Sequence, residues 1–119
     1  MEMKYSLLDH ALIAFCVVAL ACGQLTFKFV GIRLVRITDL ANNMPLLAAF
    51  AGAVALYGMS TLVWVDVLRR VPLNYAYMFM ALGFFIVPLA SSVLFQEQMT
   101  TRLLIGAGVV VVGLIIAVT

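Results

Sequence analysis

The sequence predicts an all-α membrane protein with four transmembrane helices, and three observations carry that prediction. Composition is the first. Of 119 residues, 66% are hydrophobic and 10% charged, whereas an ordinary soluble domain has roughly 45–50% apolar and about 25% charged residues. Mean hydropathy is +1.22, and so short a chain has too poor a surface-to-volume ratio to hide that much apolar surface in water. The second is the placement of the charges, which cluster and leave four uncharged stretches at 11–27, 44–65, 71–96 and 103–119. The third is that runs such as 12–20 and 109–117 are apolar at every position. Strands of a membrane barrel would alternate apolar and polar residues. In lipid that leaves helices, which satisfy their own backbone groups.

The charges lie at Glu2, Lys4 and Asp9; at Lys28, Arg33, Arg36 and Asp39; at Asp66, Arg69 and Arg70; and at Glu97 and Arg102. Crossing the hydrocarbon core takes about 20 residues, in a range near 17–25. Extended into the interface, the spans fall at about 8–30, 44–68, 72–96 and 101–119, forming one domain over 1–119. Span 1 is no signal peptide, because two acids against one lysine precede it and its apolar run is long. Span 2 opens on a helix-start signal, Asn42, Asn43 and Pro45. Span 3 opens on Pro72, which suits a first helical turn. Its Pro88 removes a backbone hydrogen bond and should kink the helix, with Gly83 a soft point before it. Span 4 carries Gly106, Gly108 and Gly113, and two of them, Gly106 and Gly113, share a face. Small faces let helices approach closely in lipid, so this one is read as a contact.

The connections at 66–72 and 96–102 are short and make consecutive spans antiparallel neighbours. The longest link, 31–43, sets Leu34, Ile37 and Leu40 at spacing three. It is either a short interfacial helix turn, with Arg33 and Arg36 toward lipid headgroups, or an ordered loop. Four spans put Lys4, Arg69 and Arg70 on one side and Lys28, Arg33, Arg36 and Arg102 on the other. Three against four does not decide orientation by the positive-inside rule.

Some function classes fall away. A net charge of +2 without a basic run beyond Arg69-Arg70 excludes a nucleic-acid binder. Cys16 and Cys22 lie about 240° apart around a helix and make no disulfide scaffold. With no soluble domain and no His/Cys/Asp/Glu cluster, neither an enzyme nor a metal or cofactor site is expected.

The polar residues inside the spans are few. Gln24 and Lys28 share a helix face that Ala14, Val17 and Ala21 continue. That stripe reads as a groove wall with a polar mouth, while the competing reading has Lys28 snorkelling to the interface. Asn74 and Ser92, eighteen residues apart, fall on one face of span 3, with Tyr77, Ala81, Phe85 and Pro88 near the same line. This is a polar pathway, or Tyr75 and Tyr77 form an interfacial belt. Trp64 and His10 read as interfacial. Asp66 and Glu97 read as helix-end acids, with Arg69, Arg70 and Arg102 as possible partners.

The pattern resembles the small multidrug resistance branch of the drug/metabolite transporter superfamily. It is more similar still to the 4-amino-4-deoxy-L-arabinose-phosphoundecaprenol flippase subunits. That resemblance rests on Gly23-Gln24-Leu25 followed by Lys28, then Trp64, Val67-Leu68, Val71-Pro72, Ala76-Tyr77, Glu97 and Gly113. It covers most of the chain except 31–43. The drug exporters keep a carboxylate in the middle of helix 1; here 17–22 has none. The resemblance implies a flippase subunit of the bacterial inner membrane. It would move an undecaprenyl-phosphate-linked aminosugar for lipid A modification. It would work as a homodimer or as a heterodimer with a similar four-helix subunit. It assigns the phosphate to Lys28, with Arg33 or Arg36 at the rim. The sugar hydroxyls go to Gln24, Asn74 and Tyr77, the amino group to Glu97 or Asp66, and the subunit contact to Gly106 and Gly113. A small cation exporter and a non-transporting assembly subunit are the alternatives.

Overall fold

The computed structural model describes residues 5–119. Glu2 and Lys4, two of the charges used above to weigh orientation, lie outside the described residues. Helix α1 spans Leu7–Gly31 and α2 spans Met44–Leu68. The third span, Leu73–Leu94, is made of α3 (Leu73–Met78), a 3-10 turn (Phe79–Leu82) and α4 (Gly83–Leu94). Helix α5 covers Thr101–Val118. All four spans are long and apolar enough to cross a bilayer.

Caps set the boundaries. The Ser6 side chain accepts from the Asp9 N–H and starts α1. Asn43 does the same for α2 through Leu46 N–H at 3.2 Å, with Pro45 in the first turn, where its missing N–H has no cost. Thr100 caps α5 through Leu103 N–H. Between α1 and α2 the chain forms a 3-10 helix over Ile37–Asn42, so the link holds a helical turn. Helix α4 ends where Gln96 takes the left-handed region at φ 55°, costing a residue with a Cβ roughly 1–2 kcal/mol.

The break in the third span falls at Phe79–Leu82, ahead of Gly83, while Pro88 sits inside the regular helix α4. The ladder thus tightens earlier than Pro88 alone suggests. A 3-10 turn advances about 120° per residue against about 100° in an α-helix, so four residues rotate the two halves by about 80°. The single face drawn from Asn74 to Ser92 therefore does not persist. Asn74 is exposed in the first turn of α3, and the Ser92 hydroxyl donates to the Leu89 carbonyl of its own helix.

The principal packing pairs are α2 with α1, α1 with the third span, and the third span with α5. The helices thus stand in a row, and the Cα trace measures 52 × 36 × 17 Å. The core is correspondingly small, built from Ile13, Val17, Val67, Val71 and Ala76.

The N-face, where α1 begins and α2 ends, is fastened by ions and rings. Arg70 Nε donates to Asp9 Oδ1 at 2.8 Å and Arg70 Nη1 to Asp66 Oδ2 at 3.2 Å. These two carboxylates, Asp9 first, hold the Arg70 guanidinium above its ordinary pKa. Arg69 also binds Asp66, at 3.1 Å. His10 hydrogen-bonds the Tyr75 hydroxyl at 3.0 Å and packs edge-on against Phe79. His10 is thus a link between spans as well as a residue near the interface.

Deeper in, α1 and α2 meet at Gly23. A Cβ there would collide with Tyr57, standing 2.7 Å from its Cδ2 and closer still to Cε2. Gly23→Ala should displace the Tyr57 ring and destabilise the protein by roughly 1–3 kcal/mol, as overpacking does. Gly58→Ala, where a Cβ meets nothing within 4 Å, should not. Thermal unfolding of both variants in the same detergent checks this.

Candidate functional site

A groove of about 570 Å³ runs between three spans. That is the size of a small-molecule site, for which roughly 300–1,000 Å³ is usual. Helix α1 contributes Cys16, Val17, Leu20, Ala21 and Gln24, and α2 contributes Tyr57, Ser60, Thr61 and Trp64. Tyr77, Met80 and the α4 residues Gly83, Phe84, Val87 and Pro88 form the other wall. The spacing on α1 is that of one helix face, so the stripe of Val17, Ala21 and Gln24 is the groove's α1 wall. Ala14, placed on the same stripe in the sequence, lies outside it and is exposed.

Three polar groups in the groove are already bonded to backbone. The Ser60 hydroxyl donates to Leu56 O at 2.8 Å, Thr61 to Tyr57 O at 2.8 Å, and Cys16 Sγ to Ser60 O at 3.5 Å. What faces the space is an amide and two phenols. Gln24 Nε2 donates to Tyr57 Oη at 2.5 Å. That leaves the Gln24 carbonyl as an acceptor and the Tyr57 O–H as a donor. Phe27 steadies the Tyr57 ring, with centroids 5.4 Å apart. Tyr77 is 62% exposed and its hydroxyl has no partner among the described residues. Among the described residues no carboxylate and no ammonium lines the groove.

The structure brings Gln24 and Tyr77 together in this groove and leaves the other sequence-derived residues elsewhere. Lys28 is exposed one turn beyond Gln24, without an ion pair among the described residues. Asn74 lies at the N-face, outside the groove lining. Glu97 is exposed in the connection after α4, at the far face where α1 ends. Arg36 pairs with Asp39 at 3.9 Å, and Arg33 lies over the Phe29 ring with Cζ 3.9 Å from its centroid. Gly106 and Gly113 point outward from the row, where a Cβ would meet nothing within 4 Å.

Two lining residues were not legible as such. Tyr57 passed unnoticed, although its position midway along α2, far from either interface, was the available signal. Trp64, expected to anchor the interface, faces the groove with Tyr57, Ser60 and Thr61 because all four lie on one side of α2.

Curated relatives carry one name in two forms. A protein of Erwinia tasmaniensis, "Probable 4-amino-4-deoxy-L-arabinose-phosphoundecaprenol flippase subunit ArnE", is 40% identical over 63% of this chain and 69% of its own length. The ArnE relative of Sodalis glossinidius is 36% identical over 86% of this chain and 95% of its own. The correspondingly named ArnF subunit of Erwinia tasmaniensis is 34% identical over 84% of this chain and 86% of its own. No family model matches the chain. No solved structure matches it either. Groove, spans and relatives agree: this is a multi-pass membrane protein, and it belongs to the 4-amino-4-deoxy-L-arabinose-phosphoundecaprenol flippase subunit family.

Proposed function

We propose that the chain is one subunit of an inner-membrane flippase. Its cargo is an undecaprenyl-phosphate-linked aminosugar of the aminoarabinose type, moved across the bilayer for lipid A modification. It acts as a single four-helix unit and carries out no bond chemistry of its own. The observation that carries this reading is the groove: uncharged among the described residues, with Gln24 and Tyr57 on one wall and Tyr77 among apolar residues on the other. A sugar needs hydroxyl partners, and Gln24, Tyr57 and Tyr77 supply donors and acceptors at hydrogen-bonding reach. Trp64 and Tyr57 add ring faces. The phosphate goes to Lys28 at the far-face end of the same helix, as a point charge. Asn74 and Glu97, at opposite faces, serve the cargo only at the two ends of its path.

The absence of a carboxylate from the groove lining favours this reading over a proton-coupled cation exporter. Such a carrier needs an acid where it holds the cation, and the lining has none among the described residues. The row of helices also favours a partner. One chain encloses the groove on three sides, and α5 turns Gly106 and Gly113 outward. We take the partner to be a second copy or a similar four-helix subunit, seated on that small-residue face.

Two outcomes follow. Lys28→Met and Gln24→Leu should each abolish aminosugar display at the cell surface while membrane expression stays unchanged, and Lys28→Met should also leave the unfolding temperature unchanged; undiminished display in either variant rejects its role. With Cys16→Ala and Cys22→Ala as background, Gly106→Cys or Gly113→Cys should give disulfide-linked dimers in native membranes, and Val54→Cys on α2 should give none. A chain that stays monomeric and active in native lipid contradicts the pairing.

A further inference from the structure

We propose that His10 and Tyr75 form a releasable latch, which holds the segment Leu73–Met78 against α1 and so closes the groove toward the N-face. That the cargo passes this point rests on the flippase reading above; the latch itself does not.

The spans are packed unequally. Helix α2 buries Leu46, Ala53, Ser60 and Val67, one residue in every seven along its whole length. Helix α1 supplies buried residues from Ile13 to Val30. A seven-residue repeat of buried positions keeps one helix face on its neighbour from end to end. The third span has no such seam. Of Leu73–Leu94, Ala76 alone is buried, and it brings one methyl group to the core. Withdrawing that methyl exposes little apolar surface.

The groove ends where the core begins. Its lining stops at Cys16 and Val17 on α1, Trp64 on α2 and Tyr77 on the third span. Next toward the N-face come Ile13, Val67 and Ala76, packed together with Val71. Two ties hold this plug. Arg70 Nε lies 2.8 Å from Asp9 Oδ1, and the Asp9 side chain is 8% exposed. Parting so buried an ion pair strands a charge, so this tie is the fixed one.

The other tie is neutral. His10 Nδ1 lies 2.9 Å from the Ser6 carbonyl, which can only accept, so Nδ1 carries the proton. Nε2 of the neutral ring then accepts the Tyr75 O–H at 3.0 Å. Both residues are partly exposed, so water can replace the lost partner and release costs one ordinary hydrogen bond. Tyr5 and Phe79 flank the Tyr75 ring, with centroids 4.8 and 5.4 Å away. The latched segment is bounded by Pro72 and by the 3-10 turn, two breaks in regular α-helix that let it move as a unit. Tyr77 lies in it, so release also shifts a groove hydroxyl.

Distances between spin labels on the full chain in nanodiscs test this without any cargo. With Cys16→Ala and Cys22→Ala as background, Leu8→Cys with Leu73→Cys reports the N-face, and Ile32→Cys with Leu94→Cys the far face. All four positions are exposed. Labelled protein is diluted into unlabelled protein so that each pair reports one chain. Tyr75→Phe keeps the ring and removes the hydrogen bond. It should raise the ratio of long to short N-face distances about fivefold, the worth of one such bond, and leave the far-face pair unlengthened. His10→Phe should do the same, and Arg69→Gln, which touches only Asp66, should change neither pair. Tyr75→Phe decides the matter if His10→Phe does not fold. An unchanged N-face distribution in Tyr75→Phe overturns the proposal. So does lengthening at both faces, the mark of a loosened fold. A latch that opens in a protein that moves no aminosugar supports the latch and counts against the flippase reading alone.

Discussion

The close approach of α1 and α2 at Gly23 is the contact on which the arrangement depends. Without a side chain at 23, the Tyr57 ring lies against the α1 backbone. There its hydroxyl meets Gln24 and its ring packs at a tilt against Phe27. In lipid there is no hydrophobic drive between helices, so close packing and interhelical hydrogen bonds must hold them together. One glycine provides both here. It fixes the depth and direction of the two polar groups that face the groove, and it makes α1 and α2 one rigid wall opposite the third span.

The third span is the softer wall. Its ladder tightens into a 3-10 turn at Phe79–Leu82, directly before the groove residues Gly83 and Phe84. At the N-face it is anchored by Tyr75 and Phe79 to His10, while Arg70 ties the preceding turn to Asp9 and Asp66. Rigid anchorage at one face, an irregular turn in the middle and unneutralised cations at the other face form a gradient along the path. In the proposed function a cargo with a charged phosphate is attracted to the far face, while the groove lining among the described residues offers only neutral partners.

The spans were legible in the sequence because charge placement and the thickness of a bilayer set them almost alone. The same holds for Gln24, whose amide in an apolar helix has few explanations, and for the α1 stripe of Val17 and Ala21. Pairings between distant segments were not legible. Nothing local to Asp9 foretells Arg70, sixty-one residues later; the antiparallel course of α1 and α2 brings them to one face. The shared face of Asn74 and Ser92 assumed an unbroken helix, and the 3-10 turn rotated it apart. Trp64 was obscured for another reason. Aromatic residues are common at membrane interfaces, and only the packing of α2 against α1 shows that this one turns inward.

The central claim is that the groove between α1, α2 and the third span holds the cargo head. A photoreactive phenylalanine analogue in place of Phe84, which lines the groove, tests it directly. The same analogue in place of Val109, on an exposed part of α5, is the comparison. With a trace of labelled undecaprenyl-phosphate-linked aminosugar in a zwitterionic bilayer, illumination should label the Phe84 position strongly. An excess of unlabelled cargo should suppress that labelling, and the Val109 position should stay near background. Equal labelling at the two positions, or labelling at Phe84 that unlabelled cargo leaves unchanged, would contradict the account.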